Sequence, residues 1–327
     1  MQNQEAMYDG ARALSDRSRR GLPSPHALCP AGTAPPPPRQ GVGEQRLRRM
    51  GSPRRRRPAA RDLNVPAIFL GFLALLGFFV GVFVEGVVSS YHHDGTFWPW
   101  PCCRRCGARA SLGVLVPVLG YLRQARCRAC GCEQRTRGLQ VEAATALAFV
   151  ALGAQYWGHP RADWPLLLVV SLAEAALLVV VLFIDLELRL IPTLLVAVLV
   201  ALALAGATLV PATAWWPGLG LGSALLGGAV GFAAFGALVV LAHVVFGEGA
   251  LGMGDANLAL AIGCITGYPL VIFALSTGIF LGGIGAVATL VAKRGGLRST
   301  MPYGPYLVLA VLFVLAHGNT INPLGHF

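Results

Sequence analysis

Charged residues are scarce in this 327-residue chain: they make up 13% of it, about half the share of an ordinary soluble domain. Apolar residues make up 55%, and a mean hydropathy of +0.63 is more than one soluble core can hide. So little charge excludes a disordered protein. The 41 glycines follow no three-residue period, which excludes a collagen-like chain. Most lie inside apolar runs, where membrane helices tolerate them. A small secreted disulfide scaffold is excluded too, because the chain is long and its eight cysteines are few. No secretory signal is expected, since the first long apolar run begins only at Val65 and lacks a small-residue cleavage site. The expected class is an all-α polytopic membrane protein.

Acidic residues are also short, 15 against 26 basic, giving a net charge of +11. The basic excess is blocky: residues 1–64 hold 13 basic residues and residues 90–138 another 8. No aromatic stacking pattern accompanies the arginines, so nucleic acid is not expected as a partner. The blocks read instead as a topology signal in a chain whose partner is membrane lipid, because basic loops stay on the cytoplasmic side. Residues 1–64, with Pro35 to Pro38 and Arg54 to Arg57, read as a disordered extension; a true start further on, such as Met50, is the alternative.

From Val65 onward, apolar runs fall near 65–90, 139–157, 165–184, 191–210, 219–246, 256–268, 269–292 and 303–317. A bilayer core about 30 Å thick needs about 20 helical residues, so eight transmembrane helices are expected. Gly267, Tyr268 and Pro269 alone divide the sixth run from the seventh. The organisation is thus an extension (1–64), a first helix (65–90), a cysteine-rich loop (91–138), a helical bundle (139–317) and a tail (318–327). Arginines in 90–138, Arg189, Lys293, Arg294 and Arg298 put the joints 90–138, 185–190, 247–255 and 293–302 in the cytoplasm. The same rule puts residues 1–64 outside, against their own charge.

Six cysteines fall within residues 102–132. Cys103, Cys106, Cys127 and Cys130 form two Cys-x-x-Cys pairs about twenty residues apart. Each pair can set two thiolates on one tight turn, and two facing turns complete a tetrahedral S₄ site suited to structural zinc. Four thiolates leave no open position for catalysis. Cys102 and Cys132 read as bystanders, Cys264 as packing, and Cys29 as part of the extension.

Asp185 closes the third run and Asp255, in Gly252-Met253-Gly254-Asp255, opens the sixth. A carboxylate at the edge of hydrocarbon usually faces a bundle interior or a wet cavity. The topology puts both at one membrane face, where two facing carboxylates can share a proton, activate water and protonate a leaving group. Gly252 and Gly254 allow close backbone approach by a substrate, or a sharp turn. Two blander readings stand beside this one: Asp255 as a helix N-cap, and Asp185 as a helix-end residue paired with Arg189. Glu174 reads as a buried, hydrogen-bonded group.

In order along residues 75–317, these elements resemble the type IV prepilin peptidase family, the bacterial Gly-x-Gly-Asp membrane aspartic proteases. The resemblance rests on the two cysteine pairs, Val116-Pro117-Val118-Leu119-Gly120-Tyr121-Leu122, Val141-Glu142 and Ile184-Asp185 with Ile191-Pro192. It continues through Gly252-Met253-Gly254-Asp255 and Pro302-Tyr303-Gly304-Pro305-Tyr306. It implies an inner-membrane enzyme that removes the basic leader of type IV prepilins and type II secretion pseudopilins at the cytoplasmic face. Asp185 and Asp255 would be its catalytic pair, and Cys103, Cys106, Cys127 and Cys130 its zinc ligands. Many members also methylate the new N-terminus with S-adenosylmethionine. Here the family's polar positions in the amino-terminal half are Val114, Leu115 and Gly138, and its first-span Asn is Glu85. Asn257 and Thr193 replace a Lys and an Asp. Glu142 is the residue left for a methyl-transfer pocket, so cleavage with little or no methylation is expected. A proteolytically weak paralogue acting as an assembly scaffold is the alternative from another class, and a proton-relay transporter a third.

Overall fold

The computed structural model of the chain describes residues 60–111, 113, 116–118, 120, 126–133, 135–157, 164–209, 220–246, 252–291 and 303–321. The expectations for residues 1–59 with Cys29, for Val114 and Leu115, for the joint residues 247–251 and 292–302, and for residues 322–327 lie outside it. Among the described residues there are eight helices and no strand. They are α1 (Ala60–Asp94), α2 (Arg135–Tyr156), α3 (Trp164–Leu188), α4 (Thr193–Leu209), α5 (Leu221–Phe246), α6 (Met253–Thr266), α7 (Leu270–Val291) and α8 (Gly304–Ile321). Each covers one of the eight apolar runs. The boundaries differ at α1, which starts inside the stretch read as extension and runs to Asp94, and at α2, which starts inside the expected loop. Hydropathy falls at the membrane edge, whereas arginine and alanine carry helical hydrogen bonding past it.

Four helices are long and apolar enough to cross a membrane: Pro66–Asp94, Trp164–Leu188, Leu221–Val245 and Leu270–Ala288. The apolar parts of α4, α6 and α8 are shorter, and α6 has only 14 residues. The expectation of eight spans therefore holds for the number of helices, while four clearly have the length of a span. The molecule is a multi-pass helical membrane protein.

The central helix is α3. Its span is 72% buried inside the protein, against 28–33% for the other three. An all-round apolar surface is what a helix in this position needs. Lipid is as apolar as leucine, so close backbone packing rather than water exclusion joins such helices. Small residues supply that packing between α5 and α6. A Cβ at Gly227 would lie 2.3 Å from the Gly263 carbonyl oxygen, and one at Gly231 2.4 Å from that of Ala259. The two helices are thus antiparallel neighbours in a fixed register. The α1–α2 pair uses the same device, with a Cβ at Gly77 falling 2.5 Å from the Ala146 Cα.

The break between α6 and α7 is real. Gly267 takes φ +68° and its N–H bonds the Gly263 carbonyl at 2.8 Å. The Tyr268 N–H then donates to the Ser223 carbonyl, and the Ser223 hydroxyl donates to the Tyr268 carbonyl at 2.9 Å. The carboxyl end of α6 is thereby tied to the first turn of α5.

Candidate active site and metal centre

Two cysteine turns of the same construction face each other beside the bundle. In the first, the Cys103 N–H bonds the Ala108 carbonyl at 2.9 Å and the Gly107 N–H bonds the Cys103 carbonyl at 2.7 Å. In the second, the Cys127 N–H bonds the Cys132 carbonyl at 2.8 Å and the Gly131 N–H bonds the Cys127 carbonyl at 2.9 Å. Gly107 and Gly131 stand directly after the second cysteine of each pair, at φ +67° and +74°. That left-handed conformation suits glycine, and the glycine after each pair is a signal that spacing alone did not use.

The Sγ atoms of Cys103, Cys106, Cys127 and Cys130 all lie within 4.8 Å of one another. Cys103 and Cys130 are 3.5 Å apart at sulfur, and Cys106 and Cys127 are 3.7 Å apart. A tetrahedron with zinc–sulfur bonds of about 2.3 Å has edges of about 3.8 Å, so the thiols already stand at ligand spacing. Burial opposes ionisation of Cys103, yet the backbone N–H groups of Cys106 and Arg105 outweigh it and hold the thiol down to about 6. Cys130 is pushed up to about 12: the Cys132 backbone favours its thiolate, but desolvation and the neighbouring cysteines oppose it. The cluster can hold a metal ion. Cys102 and Cys132 stand apart from it, the first 3.7 Å from the Ser90 hydroxyl and the second 3.8 Å from Arg105 Nη1.

Asp185 lies in the last turn of α3 and is 4% exposed. Its Oδ2 has no hydrogen-bond partner among the described residues, an unusual state for a buried acceptor. The start of α8 closes against it: a Cβ at Gly304 would lie 2.5 Å from Oδ2. Asp255 stands in the first turn of α6, close enough for the Asp185 charge to act on it. Tyr303 lies within the field of Asp255 and donates its hydroxyl to the Ile279 carbonyl at 3.2 Å. The fold therefore brings the two aspartates together from helices whose sequence positions are 70 apart.

The N-cap reading of Asp255 fails, because Gly252 is the N-cap and has no side chain to cap with. Asp255 is three residues further on, where its charge complements the helix dipole. Gly254 gives close approach to Ile191, whose Cβ would stand 3.3 Å from an added Cβ. Gly252 is exposed, and a Cβ added there would meet only Asp255 Oδ2 and the Gly254 nitrogen, each at 3.8 Å, among the described residues. Arg189 leaves α3 at φ +53°, with its N–H on the Asp185 carbonyl at 2.9 Å, and its charge also acts on Asp185.

Glu142 is fully buried where α1 and α2 touch most closely. Its Oε2 accepts the Val118 N–H at 2.8 Å, while Oε1 has no hydrogen-bond partner among the described residues. Glu174 is also buried, beside a small cavity with Tyr156 and Ser171, whose hydroxyls are 2.9 Å apart. A second cavity adjoins the cysteine turns, lined in part by Glu85, Cys103, Arg104 and Arg137. Arg104 Nη2 meets both oxygens of Glu85, at 2.7 and 3.0 Å, and Arg104 and Arg137 both pair with Glu187. Sequence reasoning missed this charge network.

A bundle of apolar helices with an acid pair at one end and a four-cysteine knuckle beside it defines a membrane protein of a narrow class. Residues 75–156 match the model of the bacterial peptidase A24 N-terminal domain, and residues 172–287 that of the type IV leader peptidase family. A prepilin leader peptidase/N-methyltransferase of Myxococcus xanthus is 32% identical over 238 residues, 71% of this chain and 67% of its own. One from Pseudomonas putida is 27% identical over 280 residues, 78% and 93% of the two chains. The type 4 prepilin-like proteins leader peptide-processing enzyme of Escherichia coli is 31% identical over 208 residues, 63% and 71%. No solved structure matches the chain. The chain belongs to the type IV leader peptidase family.

Proposed function

We propose that this protein is an aspartic endopeptidase that removes the leader of type IV prepilins and type II secretion pseudopilins at the cytoplasmic face of the inner membrane. The observation that carries the reading is the juxtaposition of Asp185 and Asp255: the helix dipole or Arg189 accounts for either acid alone, but not for two acids meeting at the end of an apolar bundle. The leader's basic residues stay in the cytoplasm while its apolar helix lies in the bilayer beside the enzyme. Water attacks the scissile carbonyl with general-base help from the ionised aspartate. The protonated partner polarises the carbonyl, and the proton passes to the departing amine. A coupled pair titrates as a unit, so the roles belong to the pair.

Cys103, Cys106, Cys127 and Cys130 would hold zinc, which contributes folding energy to the loop and takes no part in the chemistry. The transporter reading does not account for the four-cysteine cluster or the family match, and the scaffold reading does not need the two aspartates to meet. In the amino-terminal half, Glu142 Oε1 is a buried carboxylate oxygen without a partner among the described residues, a remnant for S-adenosylmethionine, and we propose cleavage with little or no methylation.

The test uses purified protein in detergent and a pilin precursor. Asp185→Asn and Asp255→Asn should each abolish cleavage while the protein still accumulates in the membrane; wild-type cleavage by either variant would remove the pair from the mechanism.

A further inference from the structure

We propose that Glu187 is a positioning residue through which the cysteine knuckle holds the Asp185 turn of α3 in place. The proposal rests on the peptidase reading of Asp185. Glu187 is two residues beyond Asp185, in the same helical turn. Its Oε1 pairs with Arg104, which stands between the first pair of cysteines, and with Arg137 at the start of α2. Arg137 reaches to the other side of Asp185 as well: its guanidinium lies 4.4 Å from the centre of the Phe183 ring, and Nη2 donates to the Phe183 carbonyl at 3.4 Å. Asp185 is thus bracketed, at Phe183 and at Glu187, by groups from outside its own helix.

Arg104 completes the lock by spanning two acids. One arm holds Glu85 of α1 and the other holds Glu187 of α3. The acids are 8% and 14% exposed at the side chain, and Arg104 and Arg137 24% each, so the four charges are largely withdrawn from water. Burial disfavours the Arg104 cation, but Glu85 and Glu187 more than compensate and keep it charged. Losing one partner would strand a buried charge, so breaking this network costs more than breaking a surface ion pair.

The knuckle's near-symmetry shows that the reach of Arg104 is particular to its position. Arg128 occupies the matching place in the second turn, directly after Cys127, and is exposed. Of the two matched arginines, Arg104 is the one aimed into the bundle. Arg104 adjoins Cys103 in the chain, so it keeps its place only while that turn keeps its shape. The cysteine site is coupled to the aspartate site by one side chain.

The experiment compares wild type, Arg104→Met, Glu187→Gln, the double variant, Arg104→Lys and the control Arg128→Met, purified in detergent with zinc content measured. Arg104→Met and Glu187→Gln should each lower kcat about tenfold with KM within about twofold, as expected when a reacting group is displaced. Zinc content should stay at the wild-type level in both. The double variant should lose less than the product of the two single losses, because the Arg104–Glu187 contact is lost in both, although each also loses a second partner, Glu85 or Arg137. Arg104→Lys, which restores charge but cannot fork between two acids, should recover part of the rate, and Arg128→Met should match wild type. Hydrogen–deuterium exchange supplies the second readout: amides of residues 180–188 should exchange about tenfold faster in both single variants, and chelating the metal should reproduce the effect. Unchanged kcat in Glu187→Gln, additive losses, or a rate loss explained by missing zinc would each overturn the proposal, as would unchanged exchange. If wild type cleaves no precursor, the peptidase reading falls, and the exchange comparison still decides the lock.

Discussion

Replacing Gly304 by alanine probes the aspartate pair without touching either acid. The added Cβ would sit 2.5 Å from Asp185 Oδ2 and 3.1 Å from its Cγ, with Ile191 Cδ1 at 3.2 Å on another side. Ordinary contact for a Cβ begins at 3.4 Å, so the carboxylate or the first turn of α8 must retreat by about 0.9 Å. The Asp185 side chain is the softer of the two, but it is buried and has little room to turn. A misplacement of about 1 Å at a reacting group costs about a hundredfold in rate, equivalent to about 2.7 kcal/mol. Overpacking costs about 1–3 kcal/mol of stability, which a bundle of eight helices can absorb. The expected outcome is a protein that accumulates, melts only a few degrees lower, and cleaves precursor with kcat reduced about a hundredfold. Cleavage in detergent, alongside a thermal melt of the same preparation, measures both. An alanine variant that folds and cleaves at the wild-type rate would show that Asp185 Oδ2 need not hold its place, and the geometric argument for the pair would fail.

Freshly purified protein should contain about one zinc per chain, and Cys103→Ser or Cys127→Ser should expose the 91–138 loop to protease, because structural zinc is folding energy. Metal analysis checks this, and full retention in Cys102→Ser and Cys132→Ser would establish those two as bystanders. Mature pilin from cells carrying only this enzyme should have an unmodified amine at its N-terminus. Mass spectrometry showing a methyl group on most termini would place this chain with relatives whose names include N-methyltransferase.

The helices were legible because each apolar run corresponds to one helix, even where helical hydrogen bonding continues past the apolar edge at α1 and α2, and Gly267 with Pro269 divided α6 from α7 as expected. The four-cysteine cluster was legible because cysteine spacing encodes a local turn. The meeting of Asp185 and Asp255 followed from charge asymmetry in the joints, a global signal. The network of Glu85, Arg104, Arg137 and Glu187 followed from none of these, since its members come from α1, the loop, α2 and α3, and a charge does not name its partner. The role of Gly304 was hidden for a similar reason: it appeared only as one letter of Pro-Tyr-Gly-Pro-Tyr, and what it approaches depends on how α8 meets α3. Asp255 shows how local and distant readings compete, because an acid near a helix start suits the dipole whether or not a second acid faces it.

The short length of α6 has a consequence for what can reach the aspartates. In the register that sets Gly227 against Gly263 and Gly231 against Ala259, Asp255 stands level with about Phe235 of α5. From there α5 continues for 11 residues to Phe246, about 17 Å at 1.5 Å per residue. On that side the acids lie at the foot of a wall rather than on a rim. A folded domain passing along the top of the wall cannot bring a peptide bond down to them. A chain that reaches the foot must offer about five extended residues, at about 3.4 Å each, between whatever is folded above and the bond that is cut. For a chain that enters over α5, unstructured slack beside the scissile bond is therefore a requirement that the architecture itself imposes, before any side chain has been recognised.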